Sequence, residues 1–314
     1  SKPGARNEFA SSQPNAAGLK GEGIAGYHLE YDALLGRYGQ GAPANGGGGG
    51  CSTDAGGGGG ANAGDPVKYS GHGVPSVLKA TWATAWELEA VGFSTKLSSG
   101  GGRGGYSRCG AGLNPLTNAP DDYGTWKGDG RRPSAVGLGG RPLDYTTGKI
   151  FLGGGGGQGH GSDRDASAGA NGGGLVSLKV TGDLTGVGSI EVDGSIGEGN
   201  SNSNGFSSAI DGGGGGGAGG TVIIESNGTI SAINISAVGG EGGSVSQTSF
   251  SNPAEANGPG GGGGGGYVNV SSAGAVIDVS GGVNGEMNST YMASFPPNGA
   301  TGGGVGVSEI TPNS

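Results

Sequence analysis

Gly172-Gly173-Gly174 runs into Leu175-Val176-Ser177-Leu178-Lys179-Val180. Gly212 to Gly217, with Ala218-Gly219-Gly220, runs into Thr221-Val222-Ile223-Ile224-Glu225-Ser226. Gly260 to Gly266 runs into Tyr267-Val268-Asn269-Val270-Ser271-Ser272. The apolar segments start at 175, 221 and 267, two equal intervals of 46 residues. A second alternating segment follows each: Ser189-Ile190-Glu191-Val192, Ile233-Asn234-Ile235 and Val276-Ile277-Asp278-Val279. Each unit then closes near a Gly-Glu pair (Gly197-Glu198, Gly240-Glu241, Gly285-Glu286), and a truncated fourth start sits at Gly302 to Val307. Equal spacing with matched internal order reads as a repeat.

Alternation within the units assigns faces. Val176, Leu178 and Val180 point one way, and Leu175, Ser177 and Lys179 the other; Val222 and Ile224, then Val268 and Val270, follow the same rule. Strands with one apolar face cover a thin core that stacked units make continuous. A glycine layer against such a sheet allows close backbone approach. The expected fold class is therefore all-β: a repeat-built β-sheet or solenoid with interleaved polyglycine, polyproline-II-like segments and little helix. Three regions are expected: an N-terminal arm over 1–45, a glycine- and turn-rich domain over 46–150, and the 46-residue units over 151–314.

Composition agrees with a scaffold. Glycine supplies 84 of 314 residues, several times its usual share of about 7%. It lacks the strict three-residue period of collagen. Charged residues make up 13%, the net charge is −9 and the pI is near 4.8. That balance argues against nucleic acid or an anionic membrane as a partner, because both need basic patches. No apolar stretch is long enough to span a membrane. Ser1 is followed by no apolar signal core, which fits a mature chain after signal removal.

Cys51 and Cys109 are the two cysteines. An even count between glycine loops predicts one disulfide, closing 58 positions and stabilising by about 4 kcal/mol in the chain-entropy model. It implies an oxidising, extracellular setting. The runs Gly46 to Gly50 and Gly56 to Gly60 flank Cys51 and fit side-by-side extended strands bonding through their backbones. Neither ends in the Gly-Lys-Ser/Thr of a phosphate loop. Tyr27 to Leu35 reads as a short helix or as an arm docking on the next subunit. Residues 74–97 read as one helix or two strands, with Trp82 and Trp86 anchoring a small core or forming a sugar platform. Residues 110–150, with most of the prolines, read as loops.

Gly139-Gly140-Arg141-Pro142-Leu143-Asp144-Tyr145, followed by Phe151-Leu152 and Gly153 to Gly157, opens the repeat region. From there to about residue 285 the order of glycine run, small-residue loop, Gly-Gly-Gly and alternating strand resembles the glycine-rich repeats of large secreted bacterial surface proteins, of gliding-motility and adhesin type. It is similar in style to the polyglycine-helix adhesin tips of phage tail fibres, with longer strands here. The resemblance implies an extracellular or cell-surface protein and supplies no catalytic residues.

Enzyme chemistry finds no foothold in the sequence. His28, His72 and His160 are far apart, and two cysteines give no zinc spacing. Asp121, Asp122 and Asp129 match no calcium loop with a closing glutamate. No Gly-x-Ser-x-Gly elbow follows a strand, and no carboxylate pair is singled out for polysaccharide cleavage. No catalytic, cofactor or metal residue is expected. Asn227, Asn234, Asn269 and Asn288 lie in Asn-x-Ser/Thr sites and are candidate glycosylation positions. The expected function is a self-assembling filament or surface-layer subunit whose partners are copies of itself. The alternative is an adhesin for surface glycans or another cell, and a β-helix enzyme stands further off.

Overall fold

In the computed structural model the three strand starts lie side by side: Leu175 pairs with Thr221, and Thr221 with Tyr267. The structure describes residues 18–26, 39–51, 54–89, 98–106, 114–120, 131, 133–161, 167–202, 211–247, 256–290 and 292–312. Its regular structure is chiefly strand, in parallel sheets, with little helix.

One α-helix, α1 (Ala80–Glu87), settles the reading of the tryptophan segment. Trp82, Ala85 and Trp86 fall three and four apart, so they share one face, and all three are buried. The two indoles meet Phe295 edge-on at centroid distances of 6.1 and 4.9 Å, beside Met287, Met292 and Val245. Each indole N–H is satisfied, Trp82 donating to the Ser294 carbonyl at 3.0 Å and Trp86 to the Ser76 carbonyl at 2.9 Å. Both rings are therefore core anchors, not an exposed platform. Single 3₁₀ turns occupy Pro66–Lys68, Pro133–Ala135 and Tyr145–Thr147. Asp65 and Asp144 cap the first and last of these by accepting from Val67 and Thr146.

Among the described residues twelve strands follow: β1 (Leu175–Val180), β2 (Leu184–Thr185), β3 (Ser189–Glu191), β4 (Asn200–Asn202), β5 (Thr221–Ser226), β6 (Ile230–Ser231), β7 (Asn234–Ser236), β8 (Val245–Gln247), β9 (Tyr267–Val270), β10 (Val276–Asp278), β11 (Met287–Asn288) and β12 (Val307–Ile310). They form parallel sheets in the orders β1-β5-β9-β12, β3-β7-β10, β4-β8-β11 and β2-β6. Val176, Val222 and Val268 therefore stack in register, as do Leu178, Ile224, Val270 and Ile310, and Ile190, Ile235 and Ile277. Apart from Ile310, these columns face inward and make one apolar core between the first two sheets.

Below the strands the glycine runs bond with a period of three. Along 211–220, Gly213, Gly216 and Gly219 donate to Gly258, Gly261 and Gly264; Gly214 and Gly217 donate to Glu198 and Ser195; Gly215 and Ala218 donate to Gly157 and Gly154. The same run accepts from Gly57 and Gly60, from Ala170 and Gly173, and from Gly240 and Gly243. Three residues per turn is the period of the polyproline-II helix, whose backbone makes no internal hydrogen bonds and so has every group free for neighbours. The run has six neighbours, three receiving its N–H groups and three its carbonyls. Runs 54–61 and 257–266 are surrounded in the same way. Bonds such as Gly57 to Gly213 and Gly102 to Gly262 cross residue 150 and tie 46–150 to the later runs.

Volume, not positive φ, selects glycine here. A Cβ on Gly214, Gly215 or Gly216 would sit closer than 3.0 Å to the carbonyl oxygen of Ala168, Gly58 or Gly240. None of the three has positive φ.

Tyr145 fastens the 139–152 segment to the sheet. Its ring stacks on Tyr267 at 3.9 Å, and its hydroxyl lies 2.6 Å from Asn62 Oδ1 and 2.8 Å from Thr221 Oγ1. Burial pushes its phenol up to about 12. An unfolded phenol ionises near pH 10, at about the unperturbed value. The stability this group contributes is therefore complete below that pH and is lost as the pH rises toward the folded value. Thermal melts are expected to hold level to about pH 10 and fall above it, with a smaller fall in Tyr145→Phe.

Candidate assembly surface

Among the described residues, both ends of the strand stack are uncapped. In the middle units Val222, Ile224, Val268 and Val270 are buried. Val176 and Leu178 extend these columns at one end, and Ile277 ends the separate Ile190-Ile235-Ile277 column at the other; all three are only partly buried. Ile310, which continues the Leu178-Ile224-Val270 column, is 55% exposed. Most of the large exposed apolar residues gather at these ends: Leu175, Val187 and Ile196 on the first unit, and Val276, Val283 and Val305 on the last, with Ile310.

Among the described residues, the end strands β1 and β12 each pair on one side only. Their outward faces carry opposite charge. Lys179 of β1 lies 3.3 Å from Glu225 of β5, and Glu309 of β12 accepts a 2.7 Å hydrogen bond from Tyr267.

The glycine rows beneath are complementary as well. Within the stack, Gly194 and Gly197 donate to Val238 and Glu241, and Gly239 and Gly242 donate to Ser280 and Val283. By the same spacing, the N–H groups of Gly281 and Asn284 point out of the last unit, and among the described residues they meet no acceptor. The carbonyls of Asp193 and Ile196 point out of the first, and among the described residues they meet no donor. One end presents donors and the other acceptors. Beside the donor edge lies a groove of about 480 Å³, walled on its far side by Val74, Pro75, Leu78 and Trp82 and on its near side by Val283 and Glu286.

The densest polar cluster is buried elsewhere. The Arg103 guanidinium donates to both carboxylate oxygens of Glu89, at 2.6 and 2.8 Å, and to the Gly299 carbonyl at 3.0 Å. Its carbon sits 5.9 Å from the Trp86 ring and 5.3 Å from the Tyr106 ring. Burial disfavours the cation, yet Glu89 and Tyr106 hold its pKa above the usual arginine value. His72 is 3.5 Å away, and burial, then Arg103, keep its imidazole below its ordinary pKa. This buried cluster pins α1 to the run 98–106. The sequence signal for it was a lone arginine inside Gly101-Gly102-Arg103-Gly104-Gly105.

The residues singled out from sequence do not converge on a site. Cys51 is exposed and carries a free thiol, which does not support the expected disulfide; Cys109 lies outside the described residues. Asn227, Asn234 and Asn288 are exposed, whereas Asn269 is half-buried in β9 between β5 and β12. His160 is buried, its Nδ1 accepting the Asp54 N–H at 3.1 Å. His28, Tyr27 to Leu35, Asp121, Asp122 and Asp129 lie outside the described residues. Among the described residues no three His, Cys, Asp or Glu gather to hold a metal, and no helix is long and apolar enough to cross a membrane. Comparison with protein-family models, curated proteins and solved structures finds no match.

Proposed function

We propose that this chain is an extracellular structural protein that assembles with copies of itself into a filament or surface layer. In this reading the strand units form a β-solenoid, the glycine runs are polyproline-II-like helices bundled against it, and the chain is no enzyme. The observation that carries it is the apolar core left open at both ends of the stack, where residues equivalent to fully buried ones meet solvent. Open parallel edges are templates for another chain. A contact between two different surfaces of one protein propagates without closing unless the rotation happens to form a ring. The extracellular assignment rests on the resemblance of the glycine-rich order and on the exposed Asn227, Asn234 and Asn288, not on a disulfide.

Sedimentation velocity across a concentration series tests the reading. Native chain is expected to shift to large species as concentration rises. Ile310→Lys alters an exposed residue, a class of change that leaves stability within about 0.5 kcal/mol, and is expected to remain monomeric with an unchanged melt. A native chain that stays monomeric at every concentration contradicts self-assembly.

A further inference from the structure

The geometry points to a docking site for one extended segment of another polypeptide. The groove beside Gly281–Glu286 is the empty half of the fourth unit, and its occupant is a glycine-bearing strand lying parallel to 276–286. This goes beyond self-assembly and does not depend on it.

Each of the first three units has two halves. One half is a glycine run leading into β1, β5 or β9. The other is a strand leading into a return run: β3 into 192–199, β7 into 237–244 and β10 into 279–286. The fourth unit has the first half alone. Its run 301–306 follows 257–266, with Gly303 and Gly306 donating to the Gly282 and Val279 carbonyls, and β12 pairs with β9. Among the described residues nothing continues β10 and the 279–286 run. That place lies between Gly303, the 281–286 run and the wall of Val74 to Trp82. Beyond Glu286 it closes, because the Pro296 carbonyl accepts the Met287 N–H at 2.7 Å.

Three backbone groups around the vacancy specify an extended chain. Gly239 and Gly242 donate to the Ser280 and Val283 carbonyls of the next return run. Their equivalents Gly281 and Asn284 meet no acceptor among the described residues. The Gly217 and Gly263 carbonyls accept from Gly240 and Gly282, whereas the equivalent carbonyl of Gly303 receives no donor among the described residues. A parallel segment along β10 supplies two carbonyls and an N–H in these places. Such main-chain bonds to a sheet edge give affinity, and side-chain fit gives selectivity.

The lattice also sets the side chains. A Cβ on Gly240, Gly243, Gly282 or Gly285 would lie closer than 3.0 Å to a carbonyl oxygen of the preceding return run. The first unit, which follows no return run among the described residues, carries Ser195 and Glu198 at these positions. An occupant of the fourth unit therefore needs glycine at both, which the 192–199 run lacks. Half-buried Ile277 and Val279 call for apolar cover at alternate residues, as Ile235 and Ala237 receive from them. Across the groove Val283 is 60% and Leu78 86% exposed, and an apolar residue between the two glycines meets them. The segment 276–286 itself has this pattern, in Ile277, Val279, Gly282, Val283 and Gly285.

A synthetic fluorescein-labelled peptide with the 276–286 sequence is the probe, titrated with full chain dilute enough to be monomeric. Its anisotropy is expected to saturate at one peptide per chain. The same peptide with Gly282→Ala and Gly285→Ala is expected to bind at least tenfold more weakly, as is a peptide of the 189–199 sequence. In the protein, Asn284→Pro removes one outward N–H at a position whose polyproline-II-like backbone tolerates proline. It is expected to weaken binding of the 276–286 peptide at least tenfold with an unchanged melt. No saturable binding, equal binding of the glycine and alanine peptides, or undiminished binding to Asn284→Pro overturns the site and leaves self-assembly standing. A chain that binds the peptide as expected but never assembles upholds the site and overturns self-assembly.

Discussion

Gly215→Ala is expected to destabilise the protein by about 3 kcal/mol or more, the upper end for forcing one methyl into a filled interior. The new methyl would be driven against the Gly58 carbonyl oxygen. What it meets is backbone, which has no rotamer to change, and that backbone is itself hydrogen-bonded to runs on either side. Moving it aside would break bonds in the 54–61 run as well as in the run carrying the substitution. Gly174→Ala is the internal control. It has the same residue type and lies in the same kind of run, but its Cβ meets nothing within 4 Å. Its replacement is expected to leave stability unchanged or raise it by about 0.4–1 kcal/mol, through the lower entropy of the unfolded chain. Denaturant unfolding of the two variants reads the difference. If both behave alike, lattice packing is not what selects glycine in these runs.

Arg103→Met is the second large effect. The substitution leaves the Glu89 carboxylate buried without its cation, which costs about 3–5 kcal/mol. Arg103 is fully buried and its Glu89 partner nearly so, so solvent screens neither. Combining Arg103→Met with Glu89→Leu removes the stranded charge and is expected to recover most of the loss, because a buried ion pair is often no more stabilising than apolar groups of similar volume. Thermal or denaturant melts of the two single variants and the double variant close the cycle. A double variant as unstable as the sum of the singles would mean that the two side chains act independently, contrary to a bidentate pair at 2.6 and 2.8 Å.

The strands were the most legible part of the sequence. Strands beginning at Leu175, Thr221 and Tyr267 announce themselves through alternation after a glycine run, and the second segments fall within a residue of β3, β7 and β10. The Gly-Glu pairs mark where β4, β8 and β11 follow, although those short polar strands gave no alternation to read. Three other features were less accessible. Apolar spacing in 80–87 fits helix and strand alike, and only the shared burial of Trp82 and Trp86 against Phe295 decides it. The placing of run 54–61 between runs 211–220 and 257–266 is a long-range backbone contact between glycines, which carry no side chain to signal a partner. The pairing of Arg103 with Glu89 joins a glycine run to the C-terminal end of α1, a proximity that only the folded bundle creates. For the assembly surface, the sequence offered equally spaced segments but not which edges stay open. That depends on Val74 pairing with Gly302 in one row while, among the described residues, the neighbouring row at Gly281 and Asn284 is left unfilled.

Electron microscopy of the full chain at high concentration is the decisive measurement. Head-to-tail stacking of the four-stranded sheet predicts polar filaments with a subunit advance of roughly 19 Å, from four rows at ~4.8 Å each. Uniform isolated particles at the same concentration would contradict self-assembly and turn the search toward a different partner for the open ends.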